Sequence, residues 1–263
     1  MKFAVNFSVN LQRLLQEDHL PVDMIKCPEW EGMVFQAAKL RPVYIHYDIL
    51  IGSGMVYRLN FEKILALKSL TSTKHINCHL VTTRQSNPTA QTSSAKMVQT
   101  WQEELAFLIS QVGHETIAVE SFPYMPYHPF MKAAVNPELI ADFINNTGTS
   151  LLLDLAHIRI TALNLGIDAK AYIQKLPLDK LVELHITGIK PYQGYLTDHF
   201  ELQPEDWDLF EWAMHQIHAG IWQEPEYVAF EYGGVGNTFA WRSDCVVLEN
   251  HIPRLAGLIH KLN

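Results

Sequence analysis

The chain has 263 residues, 48% of them hydrophobic, 18% charged and 11% aromatic, and a formal net charge of −8. This is the composition of an ordinary globular protein that can bury a large core. The negative balance argues against sequence-independent binding to nucleic acid, whose affinity comes from Lys and Arg neutralising phosphates, but bound divalent ions could still make one site locally positive.

Short strand-like runs rich in Val, Ile, Leu and Tyr recur along the chain: KFAVNFS (2–8), DMIKCP (23–28), VYIHYDIL (43–50), HINCHLV (75–81), TIAVESF (116–122), SLLLDLAH (150–157), LVELHITG (181–188) and YVAFEYGG (227–234). Several are almost continuously apolar, as expected of strands covered on both faces. Between them lie segments with apolar residues at helical spacing. These are WEGMVFQAAKL after the second run, NFEKILALKSL after the third and AKMVQTWQEELAFLISQV (95–112) after the fourth. The next, NPELIADFINN (136–146), has Asn136 as N-cap and Pro137 at its first position. QPEDWDLFEWAMHQIHAG ends on Gly220, a natural stop. The last, SDCVVLENHIPRLAGLIHKL, is expected to be kinked or divided at Pro253. The polar stretch 82–94 reads as one long loop at a functional face.

Strands alternating with helices predict an α/β fold, a (β/α)8 TIM barrel. No linker or low-complexity tract divides the chain, so residues 1–263 are expected to form one domain. An open doubly wound sheet is the alternative, but it offers no reason to end so many strands in functional groups. Three cysteines (Cys27, Cys78, Cys245) without a CxxC pair argue against a disulfide framework and suit a reducing cytoplasm. The N-terminus MKFAVNFS lacks a signal-like apolar region, and no apolar run of about 18 residues occurs. A cytoplasmic protein without a membrane span is the expectation.

Nearly every strand-like run ends in a histidine or a carboxylate: His46, His79, Glu120, Asp154 with His157, His185, and Glu231, joined by Asp198 and His199 in TDHF. An unpaired buried charge costs several kcal/mol or more, so apolar or turn residues are what burial alone would place there. A barrel gathers the ends of its strands on one rim. Nine imidazole and carboxylate donors then exceed the coordination of one ion and point to two or three. Such donors suit Zn, Mn or Fe. Taken singly, each has a structural reading, as a hydrogen-bonded core histidine or an ion-paired rim carboxylate. Asp154-x-x-His157 is the strongest pair, because both groups fall on one turn. His75 shares a face with His79 but is expected at the opposite end of the barrel. His215 and His218 are expected to be exposed. The run 233–236 (GGVG) reads as a tight turn or, less simply, a phosphate cradle.

The segment LLLDLAHIRITALNLGIDAKAYIQKLPLDKLVELHITG (151–188) resembles the DUF692 family, the multinuclear non-haem iron-dependent oxidative enzymes (MNIO). The likeness continues through TDHFELQPEDWDLFEW (197–212). The wider resemblance is to xylose isomerase-like barrels, including endonuclease IV. The resemblance implies a di- or tri-iron site held by His46, His79, Glu120, Asp154, His157, His185, Asp198, His199 and Glu231. It also implies O₂-dependent oxidation of a small peptide or small-molecule substrate, with any leader-recognition element on a separate protein. In one place the chain departs from the pattern: relatives carry Asp-x-His, whereas here Asp198 directly precedes His199. Adjacent residues usually point differently, so the sequence leaves open whether both reach a metal.

Tyr47, Asp48, Arg84 and Lys190, next to ligands or on rim loops, are candidates for substrate contact. Competing functions are a metal-dependent phosphodiesterase, a sugar or sugar-phosphate isomerase or epimerase, and a metal-storing or regulatory protein.

Overall fold

The computed structural model describes residues 1–17, 20–84, 94–113, 117–234 and 243–261. The strands are β1 (Lys2–Asn6), β2 (Met24–Pro28), β3 (Val43–His46), β4 (Leu50–Ile51), β5 (Ile76–Leu80), β6 (Ile117–Ser121), β7 (Ser150–Asp154), β8 (Leu181–Ile186), β9 (Gly188–Tyr192), β10 (Tyr195–Phe200) and β11 (Tyr227–Phe230). The α-helices are α1 (Val9–Glu17), α2 (Glu31–Ala37), α3 (Phe61–Leu70), α4 (Ser94–Val112), α5 (Pro137–Thr147), α6 (Leu155–Leu165), α7 (Ala169–Ile173), α8 (Pro204–His218) and α9 (Cys245–His260).

Nine strands form one sheet in the order β3-β2-β1-β11-β8-β7-β6-β5-β4, and every pairing in it is parallel. The two ends of that order, β3 and β4, are separated in sequence only by residues 47–49. They are therefore two halves of one interrupted strand, and the sheet closes on itself as the expected (β/α)8 barrel. The sequence reads 43–50 as a single run; the structure breaks it because its first half pairs with β2 and its second with β5. Asn77 spans the break. Its Oδ1 accepts from the Tyr47 amide at 2.7 Å and its Nδ2 donates to the Tyr47 carbonyl at 3.0 Å, taking the place of a ladder residue.

Helix ends follow local chemistry. Asn136 caps α5 by accepting from the Leu139 amide, Pro137 opens the helix, and Gly148 closes it with φ +71°. Gln203 and Asp206 form a reciprocal capping box on α8. Pro253 lies inside α9, which continues through it to His260 rather than dividing there.

The helices cover the outer face of the barrel, where Val5, Ile25, Ile45, Val119, Leu153 and Phe230 belong to the main hydrophobic cluster. Fully burying such side chains contributes about 1.5–3 kcal/mol each. The alternate residues fill the barrel interior: Ala4, Met24, Tyr44, Tyr227 and Ala229 form a separate small cluster, with Tyr44 stacked on Tyr227 at 4.4 Å. One layer nearer the C-terminal rim, β2 carries Lys26, β3 ends in His46, β8 carries His185 and Glu231 follows β11. TDHF is not part of the barrel. It lies in β10, which pairs antiparallel with β9 as a hairpin. No described helix is long and apolar enough to cross a membrane.

Candidate metal centre

Parallel register explains how residues so far apart in sequence meet. His79 pairs with Glu120 across β5 and β6, and Asp154 pairs with His185 across β7 and β8. His46 ends β3, and Glu231 directly follows β11. Asp154 is also the N-cap of α6, where its Oδ1 accepts from the His157 amide at 2.8 Å. That bond leaves Oδ2 facing the cluster, 3.7 Å from His185 Nδ1 and 3.8 Å from His157 Nε2. The strand-to-helix turn thus orients two donors at once.

Glu120 is the hub. It is 1% exposed. Oε2 lies 3.0 Å from His79 Nε2 and 3.8 Å from His46 Nε2; Oε1 lies 3.0 Å from His157 Nδ1 and 3.9 Å from His185 Nδ1. Burial pushes its pKa up, but the facing imidazoles of His79 and His157 outweigh this and hold it well below the ordinary carboxylate value. Burial also opposes protonation of His157, yet Asp154, Asp198 and Glu120 together raise its pKa well above the usual imidazole value. Burial and the charge of Lys26 lower that of His46.

The adjacent pair Asp198-His199 converges on the same cavity. His199 has φ +60°, and the β9–β10 register shifts between Thr197 and Phe200. This bulge breaks the alternation that would otherwise send neighbouring side chains to opposite faces. Asp198 Oδ2 lies 3.3 Å from His157 Nε2, and His199 Nε2 lies 4.0 Å from Asp198 Oδ1. Seven of the nine predicted donors line a cavity of about 940 Å³ at one end of the barrel, and Asp154 and His185 stand behind them in contact with His157 and Glu231.

The substrate-contact candidates fare differently. Tyr47 is fully buried in the outer core, with its hydroxyl donating to the Ile64 carbonyl at 3.1 Å, so the expectation that it meets substrate is corrected: the break after His46 turns it away from the cavity. Asp48 is exposed and lines the cavity. Arg84 sits at the rim, its guanidinium 5.8 Å from the Phe130 ring centre. Lys190 pairs with Glu201 at 2.5 Å in the hairpin and is not among the residues lining the cavity. Of the 82–94 loop, residues 85–93 lie outside the described residues. Gly233 and Gly234 line the cavity, whereas residues 235 and 236 lie outside the described set. His215 is exposed as expected; His218 is half-buried, with Nε2 3.3 Å from the Ile259 carbonyl.

Sequence reasoning passed over Lys26, Asn77 and Glu183. Lys26 is buried, forms an ion pair with Glu231, and lies 3.2 Å from His185 Nε2. Burial lowers its pKa to about 8, against the opposing pull of Glu183, Glu120 and Asp154. Glu183 touches His185 from below, and so does His75, through Glu183. His75 is thus a bonded part of the barrel interior and not a bystander. The signal was present in the strands' period of two: Glu183 stands two residues before His185, and a lysine inside the apolar run MIKCP needed a buried partner.

Whether the residues fit metal ions is decided by what their polar atoms lack. Seven buried side-chain atoms among the described residues have no hydrogen-bond partner, and all but one, His251 Nε2, belong to the cluster: Nδ1 of His46, His79 and His185, both oxygens of Glu120, and Oδ2 of Asp154. Buried polar atoms are rarely left unpaired. Their donor atoms form three groups that can each hold an ion, namely His46/His79/Glu120, His46/His185/Glu231 and Glu120/Asp154/His157. Glu120, Asp154, Glu183, Asp198 and Glu231 outnumber Lys26 and His157, whose pKa is raised, which leaves negative charge for a cation to balance. The set fits.

The fold is a closed parallel α/β barrel, and the site at its C-terminal rim is a candidate metal centre. The structure resembles a D-tagatose 3-epimerase-like protein with TM-score 0.63 and 11% identity, covering 99% of both chains. It also resembles a family 2 AP endonuclease from Brucella melitensis, with TM-score 0.59 and 13% identity over 96% of this chain and 98% of that one. At such identities the likeness concerns the fold alone. The sequence profile described as RiPP precursor modification enzyme MbnB/TglH/ChrH matches residues 92–222, just under half of the chain. A UPF0276 protein of Acaryochloris marina is 23% identical over 67% of this chain and 66% of its own length. One from Bordetella pertussis is 30% identical over 29% of each. The chain thus aligns with less than two thirds of these relatives' length.

Proposed function

We propose that this protein is a multinuclear non-haem iron oxidative enzyme that modifies a peptide. The observation that carries the metal part is that six of the buried side-chain atoms without a hydrogen-bond partner belong to His46, His79, Glu120, Asp154 and His185. His46, His79, Glu120, Asp154, His157, His185, Asp198, His199 and Glu231 would hold two or three ions. Zn or Mn would fit the same nitrogen and oxygen donors, and it is the family resemblance that favours iron.

Iron, when bound, supplies redox chemistry and activation of O₂. The chain's own residues orient and shield. Glu120 belongs to two of the three donor groups, so it would help hold more than one ion. Lys26 neutralises Glu231 and restricts the charge the ions must balance. The cavity wall is apolar and aromatic at Phe122, Met125, Tyr127, Phe130 and Met131, which excludes water from a bound side chain.

The peptide reading is supported by the resemblance to RiPP precursor modification enzymes and by the cavity volume of about 940 Å³. Recognition of a leader segment falls to a separate protein in this proposal. Among the described residues lining the cavity, Lys26 is the only lysine or arginine, and it is engaged by Glu231. That disfavours a phosphodiester substrate. One domain, residues 1–263, working in the cytoplasm completes the proposal.

The test is anaerobic purification followed by iron analysis, Mössbauer spectroscopy and O₂ uptake with cysteine-containing peptides. Two or more irons per chain and peptide-dependent O₂ uptake are expected. A protein that retains only zinc and consumes no O₂ would falsify the oxidative reading.

A further inference from the structure

Beneath the donor cluster, on the same face of β8 as His185, lies a carboxylate that none of the three metal-holding groups includes. Glu183 is 1% exposed. Its Oε1 accepts from the Tyr44 hydroxyl at 2.8 Å and lies 2.7 Å from His185 Nε2; its Oε2 lies 2.5 Å from His75 Nε2. Tyr44 is itself clamped by stacking on Tyr227 at 4.4 Å. An ionised carboxylate can only accept, so three donors converging on it make a mutually satisfied unit.

The consequence falls on the imidazole of His185. With a proton on Nε2 directed at Glu183, the lone pair is on Nδ1. That atom has no hydrogen-bond partner and lies 3.3 Å from Glu231 Oε1 and 3.7 Å from Asp154 Oδ2. Another histidine is oriented in the opposite sense. His199 turns Nδ1 toward the Glu231 carbonyl at 2.7 Å, and His157 places Nδ1 3.0 Å from both the Ser121 carbonyl and Glu120 Oε1, with Nε2 3.3 Å from Asp198 Oδ2. The competing partner for His185 Nε2 is Lys26 Nζ, at 3.2 Å. An ammonium there would require the lone pair on Nε2 and the proton on Nδ1. The Glu183 contact is shorter, and Lys26 already has Glu231.

We propose that Glu183, held by Tyr44 and His75, is a positioning residue that fixes His185 as the Nε2-protonated tautomer and so presents Nδ1 to a metal ion. This rests on the metal-centre reading above. Carboxylates behind ligating histidines act in this way generally, and losing one weakens metal affinity by about 10–100-fold.

The experiment pairs a metal-free readout with a metal-binding one. In the full chain, ¹⁵N-histidine labelling and long-range ¹H–¹⁵N NMR identify the tautomer, with the His185 signals assigned by their loss in His185→Asn. Competition against a chromogenic chelator measures affinity for Zn²⁺ and, anaerobically, Fe²⁺. Wild type is expected to show the Nε2–H tautomer. Glu183→Leu should lose that preference and weaken the metal affinity by about 10–100-fold. Glu183→Gln, which keeps an acceptor oxygen, should restore most of the affinity. Should Glu183→Leu fail to fold, Tyr44→Phe serves in its place, with a several-fold loss of affinity and the ring stacking preserved. An Nδ1–H tautomer in wild type overturns the proposal, as does a folded Glu183→Leu or Tyr44→Phe protein with unchanged affinity. If wild type shows the Nε2–H tautomer yet binds neither metal, it is the metal-centre reading that fails, and this proposal with it.

Discussion

His199 donates through Nδ1 to the backbone carbonyl of Glu231, 2.7 Å away, and so fastens the β9–β10 hairpin to the barrel rim beyond β11. With φ +60° at His199, this contact lets two adjacent residues face one cavity. The hairpin begins at Gly188, where a Cβ would come within 1.9 Å of the Glu201 carbonyl oxygen. Only a glycine permits that approach.

The first prediction follows from this backbone geometry. His199→Asn should fold normally, because asparagine tolerates positive φ, and should bind fewer metal ions than wild type. His199→Val should show the same metal loss with an added destabilisation of about 1–2 kcal/mol from left-handed strain. Metal analysis and denaturant melts distinguish the two effects. Equal stability of the two variants would show that His199 does not adopt this conformation in solution.

Glu120 belongs to two of the three donor groups. Metal at 100 times its dissociation constant should stabilise wild type by about 2.7 kcal/mol, or about 5–10 °C in Tm for a chain of this size. Glu120→Gln should reduce that chelator-sensitive difference to near zero and remove at least one ion per chain. Thermal melts with and without EDTA read this directly; an undiminished difference argues that Glu120 is structural.

Barrel closure depends on Gly52, just past β4. It has φ +97°, and a Cβ there would lie 2.1 Å from the Val81 carbonyl oxygen and 2.6 Å from Trp101 Nε1. These two atoms are hydrogen-bonded to each other, and buried Glu104 accepts from the Gly52 amide at 2.9 Å. Gly52→Ala should cost about 3 kcal/mol through strain and overpacking. Gly54→Ala, at φ +78° but with open space around it, should cost only about 1 kcal/mol. Comparable losses in urea melts would place the cost in backbone strain alone.

Thiol chemistry offers a pH-dependent check. Burial pushes Cys27 up to about 12 and Cys78 up further, so both remain neutral thiols from pH 7 to 9. The thiolate is the reactive form, and both residues are fully buried, whereas Cys245 is partly exposed. Native protein should therefore react with a thiol reagent at one cysteine, rising to three in denaturant. Modification of Cys27 below pH 9 in folded protein would contradict its burial.

Much of this was legible in the sequence because a parallel barrel makes strand ends equivalent. YIHYD, NCHLV, AVESF, LLLDLAH and ELHIT deliver His46, His79, Glu120, Asp154 and His185 to the same rim without any knowledge of which strands are neighbours. Asp154 and His157 were legible for a local reason, since the spacing of a cap and its first helical turn is fixed by backbone geometry. Tyr47 was misjudged because sequence adjacency to His46 says nothing about a bend in which Asn77 replaces a ladder residue.

The sequence by itself determined the alternation of strands and helices, the donor chemistry at the strand ends and the family resemblance, because these depend on local periodicity and on residue identity. Only the tertiary structure decided which donors share a group, that Asp198 and His199 both turn inward, and that Lys26 and Glu183 stand behind the ligands. Those outcomes depend on register, a bulge and a positive φ, which arise when distant strands pair and which no short window of sequence encodes.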